Sequence, residues 1–154
     1  QAFKSSSMTR SFMGYTDKKA EVLIGLGASA ISSTKESFGQ NSKNVNEYLG
    51  LIQTKEIKFH RSHFLSPEEL KESLIINRLM CIGKAKRKDI EKLQNSFEIF
   101  IKLKVMIQDG ILEFDGKDFV ATKQGRPFLR NVAKIFDSAI ASAPEISSKF
   151  STTA

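Results

Sequence analysis

Three groupings in this 154-residue chain have residue types and spacing that could do chemistry. The first is Gly25-x-Gly27-x-x-Ala30, which follows the apolar run Val22-Leu23-Ile24. Glycines after a strand let the backbone pass close to a ligand or to another backbone, and this spacing matches the turn that cradles a dinucleotide pyrophosphate. A dinucleotide site also needs a second strand ending in an acidic residue about 20 positions on. Glu47 stands at that distance, but in a polar helical stretch, so no βαβ unit can be drawn. What remains is a small-residue turn that either approaches a ligand or packs tightly on a neighbouring element.

The second grouping is Arg126, Arg130 and Lys134, at i, i+4 and i+8 of an expected helix. Three readings compete: a solvated face, a clamp for carboxylate or phosphate, or a nucleic-acid contact. The third is His60-x-x-His63. Two histidines make a poor zinc site, and no cysteine or further histidine completes it, so a solvated loop is expected and no metal. Cys81 is the single cysteine. It can form neither an internal disulfide nor a multi-cysteine metal site, and it reads as a buried structural thiol in a reducing, cytoplasmic compartment. Ser/His/Asp and Cys/His nucleophile chemistry has no support in these spacings.

The elements that position these residues are bounded by composition. Hydrophobic residues make up 40% and charged residues 27%, and the net charge is +7. The excess spreads as +3 over 1–60, +4 over 61–140 and zero over 141–154, which suits a protein handling anions without implying nucleic acid. No apolar run approaches the roughly 20 residues of a membrane span, and Gln1–Ser7 has no hydrophobic leader segment. The chain opens on Gln1 rather than Met, which reads as a segment of something longer.

Residues 21–26 read as a strand buried on both faces, the kind found in parallel sheets, yet no second run like it follows. Residues 33–45 read as polar loop, Val45–Gln53 as a short helix and 54–64 as extended or irregular. Ser66-Pro67-Glu68-Glu69 is a strong helix start, and Gly83 ends that helix. A basic turn over 84–88 leads to a short helix over 89–94 and a longer one over 97–108. A hairpin follows around Asp115-Gly116. Thr122 caps a last helix expected to run to about Ser142, and 143–154 reads as a disordered tail. Helix, short helix, helix, hairpin, helix is the order of a winged-helix-like domain, placed at 61–142.

Pieces spread in order through the chain carry a family resemblance. They are Arg10-Ser11-Phe12-Met13-Gly14-Tyr15-Thr16, Gly25-Leu26-Gly27-Ala28-Ser29-Ala30-Ile31-Ser32, Gln40-Asn41 with Lys43 and Tyr48, and Leu65-Ser66 with Leu79-Met80-Cys81. They continue with Asp109-Gly110-Ile111, Thr122, Gly125-Arg126, and Leu129-Arg130-Asn131 through Phe136-Asp137. As a set the chain resembles the C-terminal part of oxygen-independent coproporphyrinogen III oxidase, a radical S-adenosylmethionine enzyme of haem biosynthesis. The sequence departs from that pattern at Glu72 and Ser73, where the family often has paired arginines, and at Ala139, where it has a tyrosine.

The resemblance implies a mainly α fold with a small β-hairpin: a winged-helix-like cap preceded by a remnant of a parallel-stranded barrel. The implied divisions are barrel end at 1–35, connecting loop and short helix at 36–60, cap at 61–142 and tail at 143–154. In that family S-adenosylmethionine and a 4Fe-4S cluster start the oxidative decarboxylation of coproporphyrinogen III to protoporphyrinogen IX. The cluster cysteines are not in this sequence, so no cluster, tight cofactor binding or catalysis is expected of the chain alone. The resemblance puts Ile31, with Gly27 and Ala30, at S-adenosylmethionine, and makes Arg126 and Arg130 candidates for the substrate propionates. The expected partners are the N-terminal barrel of the same protein and, through strand 21–26, a second copy, with no membrane. The alternative is a winged-helix module binding nucleic acid or protein. Against nucleic acid, the helix before the wing offers only Lys102 and Lys104.

Overall fold

The computed structural model describes residues 9–11, 14–16 and 20–139. Strand β1 (Thr9–Ser11) pairs antiparallel with β2 (Gly14–Thr16). An extended segment over 20–26 follows. It joins the next sheet through one antiparallel bridge, where Leu23 and Ser33 exchange two N–H to O bonds of 2.8 Å. That sheet contains β3 (Ile31–Ser33), β4 (Ser37–Gln40) and β5 (Arg61–Phe64), all antiparallel in the order β3-β4-β5. Between β4 and β5 lies α1 (Val45–Gln53), started by the Asn44 side chain, which accepts from the Glu47 amide.

Helix α2 (Pro67–Ile82) begins on a full capping box. The Ser66 hydroxyl accepts from the Glu69 amide at 3.2 Å, and the Glu69 carboxylate accepts from the Ser66 amide at 2.8 Å. It ends at Gly83, whose φ of 70° is a left-handed conformation that a side chain would strain. Then come β6 (Lys84–Lys86), α3 (Arg87–Ile90) and α4 (Ser96–Gln108). Strands β7 (Leu112–Phe114) and β8 (Asp118–Ala121) form a hairpin whose turn is closed by the Asp115 carboxylate, which accepts from the amides of Lys117 and Asp118. β6 pairs with β8, giving the order β6-β8-β7. A 3₁₀ turn (Arg126–Phe128) leads into α5 (Leu129–Lys134).

One apolar core holds the C-terminal half. Ile75 and Leu79 of α2 meet Ile90, Leu93, Ile99 and Leu103, and Leu112, Phe119, Val132 and Phe136 close around them. Fully burying an aliphatic or aromatic side chain is worth about 1.5–3 kcal/mol. No member of this cluster precedes Ile75. Glu72 is buried beside it, and its Oε2 accepts from the Ser138 hydroxyl at 2.9 Å and the Ser138 amide at 3.4 Å. This carboxylate ties α2 to the end of the described chain.

The structure corrects several expectations. The segment 21–26 is neither a parallel strand nor buried on both faces. Its one bridge is antiparallel, and Val22, Ile24 and Leu26 are 60%, 73% and 85% exposed. The stretch 33–45 is not all loop, because its serine-rich residues form strand hydrogen bonds that carry no apolar pattern. β4 pairs with both β3 and β5. The basic turn over 84–88 contains a strand, with Ala85 its one buried residue. The last helix is broken, with Pro127 inside a 3₁₀ turn and α5 ending at Lys134. On α4 the buried residues are Ile99 and Leu103, while Phe97 and Ile101 face out. The described chain is therefore a mixture of helices and small antiparallel sheets rather than mainly α with one hairpin. The expected tail at 143–154 lies outside the described residues.

Candidate functional site

The Gly25–Ala30 turn is built on close backbone packing. A Cβ on Gly25 would sit 2.6 Å from the Ile31 carbonyl oxygen, so only glycine fits. Gly27 has a φ of 110°, and the space where its side chain would project is open. Ser29 also takes a positive φ, 63°. Gln40, Asn41, Ser42 and Tyr48 hold the turn from one side. Asn41 Nδ2 donates to the carbonyls of Gly25 (3.0 Å) and Gly27 (2.9 Å), and the Asn41 amide donates to Ala30 O (2.9 Å). The Gly27 amide donates to Tyr48 Oη at 3.0 Å, the Ser29 amide to Ser42 O at 2.8 Å, and Gln40 Nε2 to Ser29 O at 3.2 Å. Ser42 is buried and donates to Glu47 Oε2, which links the turn to α1.

Ile31 leaves this turn as the first residue of β3. Its cross-strand partners are Gln40 and, one strand further, Arg61; the row two residues on is Ser33, Phe38 and His63. Alternation puts both rows on one face. Ile31, Phe38, Gln40, Arg61 and His63 line an open depression of about 240 Å³, with Gly39 and Ser62 between them. On the other face the Phe59 ring covers Gly39, where a Cβ would meet it at 2.7 Å. The depression has an apolar wall from Ile31 and Phe38 and polar groups from Gln40, Arg61 and His63. His63 Nε2 lies 2.9 Å from Glu69 Oε1, so the cap of α2 is tied to the end of β5. The Ser66 N–H, then the Ser66 hydroxyl and His63, hold the Glu69 carboxyl below its ordinary value of 4.5.

The structure brings Gly27, Ala30 and Ile31 together and leaves Arg126 and Arg130 elsewhere. Neither arginine lines the depression. Arg126 is in the 3₁₀ turn and Arg130 in α5, both exposed, so the regular i, i+4 stripe is interrupted at its first member. Cys81 is buried, its Sγ donates to Asn77 Oδ1 at 3.1 Å, and burial pushes its pKa up. Among the described residues no group of three His, Cys, Asp or Glu could hold a metal ion. The one cysteine, buried Cys81, does not supply the set of thiolates that holds an iron–sulfur cluster. No helix among the described residues is long and apolar enough to cross a membrane.

Sequence reasoning named Gln40-Asn41 and Tyr48 as matching residues but assigned them no role, and it did not place Phe38 or Arg61 at a site. The cross-strand pairing that brings Arg61 beside Ile31 has no local signal.

No protein-family model matches the chain. The oxygen-independent coproporphyrinogen III oxidase of Cereibacter sphaeroides is 36% identical over 138 residues, which is 84% of this chain and 30% of that protein. The enzyme of the same name from Bradyrhizobium diazoefficiens is 30% identical over 141 residues, 88% of this chain and 31% of that protein. Among solved structures, the Escherichia coli coproporphyrinogen III oxidase, described as a radical SAM enzyme, superimposes with a TM-score of 0.77 at 26% identity, over 90% of this chain and 33% of its own. The chain thus spans about three tenths of the length of the curated relatives it matches. Sequence and fold agree that the chain is a homologue of the oxygen-independent coproporphyrinogen III oxidases, matching their C-terminal part.

Proposed function

We propose that this chain acts within a radical S-adenosylmethionine enzyme that decarboxylates coproporphyrinogen III to protoporphyrinogen IX. The observation that carries the reading is the position of Ile31. The resemblance sets this residue at S-adenosylmethionine, and it stands on the wall of an open depression, at the end of a turn held by side-chain hydrogen bonds. Gly27 leaves open space on the turn, Ala30 keeps it small, and Ile31 with Phe38 offers an apolar surface to the nucleoside. The cofactor, when bound, supplies the radical chemistry; the residues here bind and orient it.

The segment up to 35 then corresponds to the end of the barrel, and the exposed Val22, Ile24 and Leu26 are covered by the preceding barrel of the whole protein. In the chain alone, a second copy covers them, because an exposed apolar edge self-associates. The succession α2-β6-α3-α4-β7-β8 is a winged-helix-like cap over the active site. Arg126 and Arg130 hold substrate propionates there as bidentate guanidinium–carboxylate pairs. The chain by itself carries no cluster and no activity. A nucleic-acid role is disfavoured because Phe97, Ile101 and Val105 line the outward face of α4, where a groove-reading helix carries polar and basic groups.

The test joins this chain to the first two thirds of the Cereibacter sphaeroides enzyme and assays anaerobic conversion of coproporphyrinogen III. Restored conversion is expected, with KM raised on Arg126→Ala. A folded, cluster-loaded chimera that converts nothing would sink the reading, and an unchanged KM would remove the clamp.

A further inference from the structure

The side chains of Asn41 and Tyr48 belong to no catalytic or ligand-lining group, yet both spend their polar atoms on the same six-residue turn. Asn41 Nδ2 has two hydrogens and points them at two carbonyls, Gly25 O and Gly27 O, while its backbone amide takes Ala30 O. Tyr48 reaches back from α1 so that its hydroxyl accepts from the Gly27 amide. Gly27 is therefore held on both of its polar atoms by side chains 14 and 21 residues away. The other bonds from outside the turn come from Ser32, Gln40 and the Ser42 carbonyl. Leu26 projects into solvent, and the apolar core begins only at Ile75. Ser29 has a positive φ, 63°, which a non-glycine residue samples sparsely in the free chain, so bonds from outside the turn select it.

We propose that Asn41 and Tyr48 are positioning residues, which lock the Gly25–Ala30 turn so that Ile31 meets its nucleoside ligand in one fixed orientation. The proposal rests on the cofactor reading given above. Geometry makes the requirement chemical rather than steric. Only a side chain with two donors on one atom satisfies both carbonyls, so Asn41→Asp keeps the shape and turns attraction into repulsion. Tyr48→Phe removes a single acceptor and leaves the ring in place. Preorganisation of this kind raises affinity by removing the ordering cost from the binding step.

The experiment uses the 154-residue chain and both variants, with two readouts. The first is amide hydrogen exchange at Gly27, Ser29 and Ala30, with Leu79 as the reporter of the core. Exchange in the turn is expected to rise about 10-fold or more in Asn41→Asp, and at Gly27 in Tyr48→Phe, while Leu79 is unmoved. The second is titration with S-adenosylmethionine at millimolar concentration, followed by the Ile31 methyl resonances. Affinity is expected to fall about 10-fold in each variant. Unchanged exchange in the turn overturns the lock. Faster exchange with unchanged affinity overturns the positioning role, since a merely structural bond would behave that way. No response of Ile31 to S-adenosylmethionine in the unsubstituted chain, with exchange behaving as expected, overturns the cofactor reading on which the proposal stands.

Discussion

Residues 20–64 and 67–136 are stabilised by different means. The second region buries thirteen apolar side chains in one cluster that draws on every helix from α2 to α5. The first region buries only Gly39 and Ser42. It is held by strand pairing and by bonds from Asn41, Tyr48 and Ser32 to a glycine turn, while Val22, Ile24, Leu26, Ile57 and Phe64 face solvent. The difference separates a unit that closes its own core from one that presents backbone geometry and an apolar face. Hydrogen bonds of the second kind contribute modestly each and give direction rather than bulk stability.

The largest effect that tests this contrast is truncation on either side of it. Leu79→Ala empties a fully buried site and should cost about 2–5 kcal/mol in urea denaturation. Leu26→Ser in the first region should change that stability by less than about 0.5 kcal/mol and raise solubility, because its side chain already faces water. Equal losses for the two would mean that the first region shares the core after all.

A second, smaller pair compares two glycines packed on a neighbour's backbone. A Cβ on Gly125 would overlap the Ile111 carbonyl, and one on Gly25 would press on the Ile31 carbonyl at 2.6 Å. Neither carbonyl can swing away as a side chain would. Gly125→Ala lies beside the core and should lower global stability by about 1–3 kcal/mol. Gly25→Ala should instead open the turn locally, seen as faster amide exchange at Gly27 and Ser29 with the cooperative unfolding midpoint kept. A drop in that midpoint for Gly25→Ala would join the two regions into one cooperative unit.

The same division decides what the sequence discloses. The α2 boundaries are written locally, as Ser66, Pro67 and Glu69 at one end and Gly83 at the other, and the Asp115-Gly116 hairpin is written the same way. Most of the core follows from those elements. The sheet of β3, β4 and β5 is not written locally. Ile31-Ser32-Ser33 and Ser37–Gln40 lack the alternation that marks a strand, and they become strands because each finds a partner 5 to 27 residues away. The run 22–26 misleads in the opposite direction, since apolar composition reads as burial while alternate side chains stay exposed. Within the site, Gly27, Ala30 and Ile31 were legible as a small-residue turn with an apolar exit. The hold of Asn41 and Tyr48 on it was not, because it depends on where α1 lies. Arg126 and Arg130 were legible as a stripe only if Pro127 continued a regular helix, and it does not.

The smallest effect lies at the junction of the two regions, where His63 of β5 meets Glu69 in the capping box of α2. The Ser66 N–H is the main cause of the low Glu69 pKa, with the Ser66 hydroxyl and His63 adding to it. A carboxyl whose folded pKa is depressed contributes stability above its ordinary value of 4.5, and that contribution is lost as pH falls through the lower folded value. Stability should therefore decline from about pH 4.5 downward, and Glu69→Gln, which keeps an oxygen to accept from Ser66, should remove that part of the decline. The site is solvent-facing, so the change should also weaken with added salt as far as His63 contributes, and persist as far as the Ser66 amide does. Thermal melts between pH 3 and 6, at low and high salt, separate the two. A decline wholly abolished by salt would assign the junction to the His63 pair and not to the cap of α2.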